Sequence, residues 1–280
     1  MILRNFVNDM GGLYFWRRNF AIGDVKVSTP ENLFLEDDLY TFIGDEGERD
    51  VSLEYGFSKL ESAGAHLLRQ LLGIVRAGKT PSMGDEVWEF LHHFRYYSDK
   101  RSAAWHSRFL TDDEFNAVLA EVANQPRWTD ADRTWMTDLE DVDRIKRNSR
   151  IAAQSSGPPD WLLVEMRNRG LAIYVAPRNG AFVIGDHPTA MAKVGLAAEK
   201  APGGKISFMP IASDVAIGYC SQAKTVYVEQ VTRQQLRTMN EAMTRQSVMI
   251  AGRSQALVAS LSRVNYETPD YFTTPEYLLG

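Results

Sequence analysis

One stretch constrains the fold more than any other. Between about Asp50 and Arg76, apolar residues fall at Leu53, Phe57, Leu60, Ala63, Leu67, Leu71 and Ile74, in steps of three or four. At 3.6 residues per turn this spacing gathers them on one side of a helix. A helix of that length with an apolar stripe must bury it, so the rest of the chain has to supply a layer for it to lie against. Gly64 sits beside the stripe, where it weakens the helix slightly and lets a neighbour approach, and Gly78 is placed to end it.

The flanking segments point to where that layer comes from. Before the helix, Gly12 to Arg17 is aromatic-rich and β-prone, and Ala21 to Val27 reads as its hairpin partner. Thr29 as N-cap and Pro30 at N1 predict a short helical turn, and Leu39 to Ile43 reads as another strand. After it, the pattern predicts helices over about Met83 to Tyr97, with Val87, Phe90, Leu91 and Phe94 inward, from Thr111 to Asn124 behind a capping box, and from Thr129 to about Ala153. Ser155-Ser156-Gly157-Pro158-Pro159 is the best linker. Beyond it the chain turns β-rich. Residues 171–176 and 181–185 are expected to form a hairpin around Asn179-Gly180, with strands at 207–210, 215–219, 225–228 and 247–251 and helices at 232–246 and 254–261. The expected class is α+β: a small N-terminal β element, a helical middle and a β-rich C-terminal half. Regions 1–154 and 160–264 are expected to fold as one compact domain, followed by a tail over 265–280.

Composition narrows function by exclusion. The 280 residues carry 31 basic and 36 acidic side chains, a net charge of -5, so general nucleic-acid binding is not expected. The single cysteine, Cys220, rules out an intrachain disulfide and any multi-cysteine metal site. No apolar run approaches the roughly 18 residues of a membrane span. Arg4 and Asp9 interrupt the start before an export signal's apolar core forms, so the expected location is the cytoplasm, with no membrane partner.

There is no phosphate-binding glycine loop, no Gly-x-Ser-x-Gly elbow, no dinucleotide fingerprint and no His-Glu-x-x-His. His66, His92, His93 and His106 read as partly exposed helix residues. Asp186-His187-Pro188 is the sharpest local feature, because it follows an apolar strand and Pro188 restricts the turn. There Asp186 is either a general base, metal ligand or ribose acceptor, or a cap for the turn with His187 exposed. Glu61 flanks the long helix's stripe, where a carboxylate needs a cationic partner or solvent. Arg4 precedes the β entry, and Arg101 follows Asp99 and Lys100 in a charge cluster of the kind that usually faces solvent.

Taken in order, these segments resemble the bacterial domain-of-unknown-function 4238 family. Leu3-Arg4-Asn5-Phe6 with Leu13-Tyr14-Phe15 is similar to its opening, Ser28 to Asn32 and Glu36 to Tyr40 to its next block, and Phe57-Ser58-Lys59-Leu60-Glu61 to its glutamate helix. Phe94 and Arg101 resemble a later Phe and Arg, Phe182 to Pro188 a strand ending in a Ser-Asp-x-Pro turn, residues 208–211 and 215–218 the strand pair after it, and Asn240-Glu241 a late asparagine helix. Members usually carry a Gln-His-Tyr-Val-Pro run before the Arg-x-Phe element, which this chain lacks, and serine where Gly185 stands. The resemblance implies a fold and a set of polar positions, not a reaction.

Three readings of those positions follow. In the first, the protein is a hydrolase of a phosphoester or nucleotide-like substrate: Glu61, Asp186 and His187 are catalytic, Arg4, Arg101 and Asn240 hold a small anionic ligand, and a divalent cation is a conceivable cofactor. In the second, the same cleft binds a ligand without turnover, as a sensor would. In the third, the polar groups form a buried network that specifies the fold. The sequence sets neither the ligand nor the oligomeric state.

Overall fold

A computed structural model describes residues 2–35, 38–102, 105, 111–137, 139–195 and 205–267. The aromatic run forms β1 (Leu13–Arg17), paired antiparallel with β2 (Lys26–Ser28). Thr29 and Pro30 open a 3₁₀ turn over Pro30–Asn32 as expected, although the Thr29 side chain makes no cap bond. The strand expected over Leu39 to Ile43 shrinks to β3 (Phe42–Ile43), paired with β4 (Arg49–Asp50). Asp38, with φ of 59°, turns the chain, and Leu39 and Tyr40 lie in the turn that follows.

The long helix is α1 (Ser52–Arg76), followed by α2 (Asp85–Lys100), α3 (Asp112–Ala123), α4 (Asp130–Thr137) and α5 (Leu139–Ser155). The Thr111 capping box forms, its backbone N–H donating to Glu114 Oε2 at 2.8 Å. The helix expected from Thr129 is seen as α4 and α5 on either side of residue 138, which lies outside the described residues. The linker leads into an unforeseen helix, α6 (Asp160–Arg167), which buries Leu162 and Met166. Then come β5 (Gly170–Val175), β6 (Ile184–Gly185), β7 (Ala190–Lys193), β8 (Lys205–Ala212), β9 (Val215–Cys220), β10 (Val226–Gln230), α7 (Arg233–Arg245), β11 (Met249–Gly252) and α8 (Gln255–Leu261). The class is α+β, and no helix among the described residues is long and apolar enough to cross a membrane.

Among the described residues the strands form a five-stranded sheet, β10-β5-β9-β8-β7, a four-stranded sheet, β2-β1-β11-β6, and the β3-β4 pair. The inner strands β5, β9 and β8 of the five-stranded sheet are covered on both faces, which is why they are nearly continuous apolar runs rather than alternating ones. Leu171, Ile173, Met209, Ile211, Val215 and Ile217 meet Leu68, Leu71, Leu72 and Val75 of α1 and Trp88, Leu91 and Phe94 of α2. Their strand neighbours Ala172, Tyr174, Ile206, Phe208 and Ala216 point the other way. There they pack with Leu13, Trp16 and Ile250 of the smaller sheet and Leu236, Met239 and Met243 of α7. Gly218 is the small residue this packing needs, since a Cβ there would stand 3.0 Å from the Tyr174 ring and 2.7 Å from the Ser207 carbonyl oxygen.

Two further expectations change. Asn179 does take a left-handed turn, φ 65°, but the flanking strands do not pair with each other: β5 joins β9 and β10, while β6 crosses to the smaller sheet and pairs with β11. The stripe on α1 is also rotated. Its buried residues are Phe57, Gly64, Leu68, Leu71, Leu72 and Val75, whereas Ala63 is exposed, Ile74 is 36% exposed and Leu67 is only half-buried.

Candidate functional site

The short strand β6 delivers the sharpest sequence motif to the edge of the smaller sheet. The Asp186 N–H donates to the Met249 carbonyl at 3.0 Å, and Asp186 Oδ1 accepts from the Val248 N–H at 3.1 Å. The carboxylate therefore caps the β6–β11 ladder while standing at the wall of a cleft of about 750 Å³. Gly185 is required beneath it, because a Cβ would fall 2.0 Å from Ser247 Oγ. Pro188 lines the same cleft.

The opposite wall comes from α1 and the C-terminal end of α2. Arg101 forms an ion pair with Glu61 there, and its guanidinium lies 4.9 Å over the Phe57 ring. The Tyr40 hydroxyl donates to the Arg101 carbonyl, and Tyr40 packs edge-on against Phe57 at 5.0 Å. Gln154 Nε2 donates to the Lys100 carbonyl, and Lys100 Nζ donates to the Ala153 and Ser156 carbonyls, tying this end of α2 to α5. Ser98, Arg101, Ser102, Glu61 and Asp186 thus face one space, together with Leu33, Phe34, Leu39 and Phe94, which make part of the wall apolar.

Arg4 lies in an adjoining lobe of about 460 Å³ that shares Pro30, Glu31 and Glu61 with the main cleft. It pairs with Glu31 at 3.1 Å, both side chains well exposed. Asn240 is not among the lining residues. It is 2% exposed, donating through Nδ2 to the Ala181 carbonyl at 2.8 Å and accepting at Oδ1 from the Val183 N–H at 3.0 Å. In the structure it clamps the chain that leads into β6.

His187 turns away from the cleft into the core, 1% exposed. Its Nδ1 lies 2.8 Å from the Thr189 carbonyl, and its Nε2 3.9 Å from Asp99 Oδ1. The charge cluster at 99–101 is therefore not a solvated face: Asp99 is 2% exposed and Lys100 7%. Burial pushes the Asp99 carboxyl up to about 7, against the pull of Arg95, and lowers Lys100 to about 8. Arg95 donates to Ser207 Oγ and lies 4.5 Å over the Tyr219 ring, whose hydroxyl is 3.2 Å from His92 Nδ1. His92 is likewise buried, its pKa lowered by desolvation to about 4. Of the four histidines expected on helix surfaces, His66 is exposed and His93 half-buried, while His106 lies outside the described residues.

Two arginines escaped the sequence reading. Arg17, exposed at the end of β1, lines the cleft with its Nε 3.2 Å from Met249 Sδ. Arg18 lines it too, but its guanidinium is spent on the carbonyls of Ser247, Val264 and Thr244. A pair of cations closing an aromatic strand was the available signal. Among the described residues no group of three or more His, Cys, Asp or Glu side chains is arranged to hold a metal ion.

This architecture is that of an α+β protein with a polar cleft between its helical layer and its smaller sheet. The family described as "Protein of unknown function (DUF4238)" matches residues 1–257, and the chain belongs to that family. No curated protein and no solved structure matches it.

Proposed function

We propose that the cleft binds a small anionic ligand of phosphoester or nucleotide-like type without turning it over. The observation that carries this reading is the lining itself: the guanidiniums of Arg17 and Arg101 face the same space as an apolar wall of Leu33, Phe34, Leu39 and Phe94. Guanidinium forks suit phosphate oxygens, and the apolar wall suits the rest of an amphipathic ligand. Binding is favoured over chemistry because Asp186 Oδ1 is held by the Val248 N–H and Glu61 by Arg101, a contact made through Nη2 alone, so that Arg101 keeps further donors for an anion. The second reading, phosphoester hydrolysis with Glu61 and Asp186 as acid and base, draws support from two carboxylates on separate elements sharing one cleft. His187, buried behind the wall, would not touch the substrate. A cytoplasmic location agrees with either reading.

Calorimetric titration of the full chain with inorganic phosphate, AMP and phenyl phosphate tests the first reading. Arg101→Met should weaken AMP and phenyl phosphate at least about tenfold, the scale of one lost charge-assisted contact. Equal affinity in both proteins, or no binding by the wild type, refutes it. Release of p-nitrophenol from a mono- or diester, abolished in Glu61→Gln and Asp186→Asn, would replace it with the hydrolase.

A further inference from the structure

Along both walls of the cleft the residues alternate between facing the space and facing the core. Ser98, Arg101 and Ser102 line it, whereas Asp99 between them turns inward; Asp186 and Pro188 line it, whereas His187 turns inward. The two inward residues meet, His187 Nε2 to Asp99 Oδ1, at 3.9 Å. We propose that Asp99 and His187 are positioning residues of the cleft, a buried contact that fixes Arg101 and Asp186 relative to each other across it. This rests on the anion-binding reading and adds to it what holds the two walls in register.

Chemistry gives the contact a direction. The Thr189 carbonyl next to Nδ1 can only accept, so Nδ1 carries the hydrogen, and Nε2 is the ring nitrogen that faces Asp99. With Nε2 unprotonated and drawn in from 3.9 Å, a protonated Asp99 can donate its O–H to the ring. A carboxylate sets two acceptors against each other, so the contact loosens when the proton leaves. The other groups around Asp99 are Arg95 on its own helix, Thr189 beyond the β6 turn and Tyr219 on β9. Neither Asp99 oxygen accepts a hydrogen bond of ordinary geometry, although the Thr189 side chain is close enough to favour the charged form. Burial outweighs both that and Arg95, so the proton is lost near neutral pH.

The test uses cyclic AMP, a phosphodiester whose charge is constant between about pH 5.5 and about pH 8.5. Wild-type affinity should fall at least about threefold across that range, and Asp99→Asn, whose amide keeps a donor for Nε2 without titrating, should bind equally at both ends. His187→Gln serves as the second variant and should also flatten the profile. A ligand-free readout is the nitrogen-15 NMR signal of the Arg101 side-chain Nε–H, which should titrate with a midpoint near 7 in the wild type and not in Asp99→Asn. An Arg101 signal that does not move with pH overturns the proposal whether or not the nucleotide binds. So does a binding profile that both variants leave unchanged, though anion binding itself would stand. Absence of binding together with an Arg101 signal that titrates only in the wild type supports the positioning contact and discards the anion reading.

Discussion

Two buried groups should pull the pH dependence of stability in opposite directions. Asp99 has its carboxyl pushed from 3.8 to about 7, so between those values the folded protein holds a proton the unfolded chain has lost. Stability then falls as pH rises, by at most about 1.4 kcal/mol per pH unit and by an upper bound of about 4 kcal/mol over the window. His92 is lowered from 6.5 to about 4, so between those values the unfolded chain holds the extra proton and stability rises with pH. In the wild type the slopes offset each other from about pH 4 to 6.5. Asp99→Asn should leave stability rising with pH through that window, and His92→Gln should leave it falling up to about 7. The assay is urea unfolding at half-unit pH intervals, compared as differences from the wild type so that titrations common to all three proteins cancel. An Asp99→Asn curve parallel to the wild type from pH 4 to 7 would mean that Asp99 is not held protonated in the fold.

Five further substitutions probe packing beneath α1 and around the cleft. Leu68→Ala, at a site 2% exposed between α1 and the five-stranded sheet, should cost about 2–5 kcal/mol in chemical denaturation, and Leu67→Ala on the half-buried flank less than half as much; equal costs would place the wrong face of α1 on the sheet. Gly185→Ser should destabilise by about 1–3 kcal/mol because its Cβ meets Ser247 Oγ at 2.0 Å and Met243 Sδ at 2.9 Å. Adding Ser247→Gly should recover part of that loss, and strict additivity in the double-mutant cycle would contradict the clash. Asn240→Ala strips two backbone bonds from the approach to β6 and should cost about 2 kcal/mol or more without changing anion affinity; a stable variant with impaired binding would return Asn240 to the ligand.

What the sequence made legible follows the range of the physics involved. The bounds of α1 could be read because its periodicity is local, but its buried face could not. Apolar residues populate two neighbouring stripes, and the tilt against the sheet decides between Leu67 and Leu68. The Asn179-Gly180 turn was readable as a turn, since Asn179 tolerates a positive φ. Its strands' partners were not, because β5 is buried on both faces and finds its neighbours some 40 to 55 residues further on. The same limit hid the site's inner half. Asp99, Lys100 and Arg101 look alike as a charge run, yet successive helix positions diverge by about 100°, which sends Arg101 to the cleft and Asp99 to the core. Asp186 and His187 divide in the same way at the end of β6. Glu61 and Arg101 do come together as an ion pair, a contact 40 residues apart that only the packing of α1 on α2 creates.

A crystal structure of the full chain with phenyl phosphate shows directly whether an anion binds in the space between Arg101 and Asp186. Phosphoryl oxygens should lie within hydrogen-bonding distance of Arg101 and Arg17, with the ring against Leu33, Phe34 and Phe94. A molecule of comparable occupancy found instead only in the groove of about 780 Å³ lined by Arg237, Arg245 and Arg263, with the cleft empty, would contradict that placement.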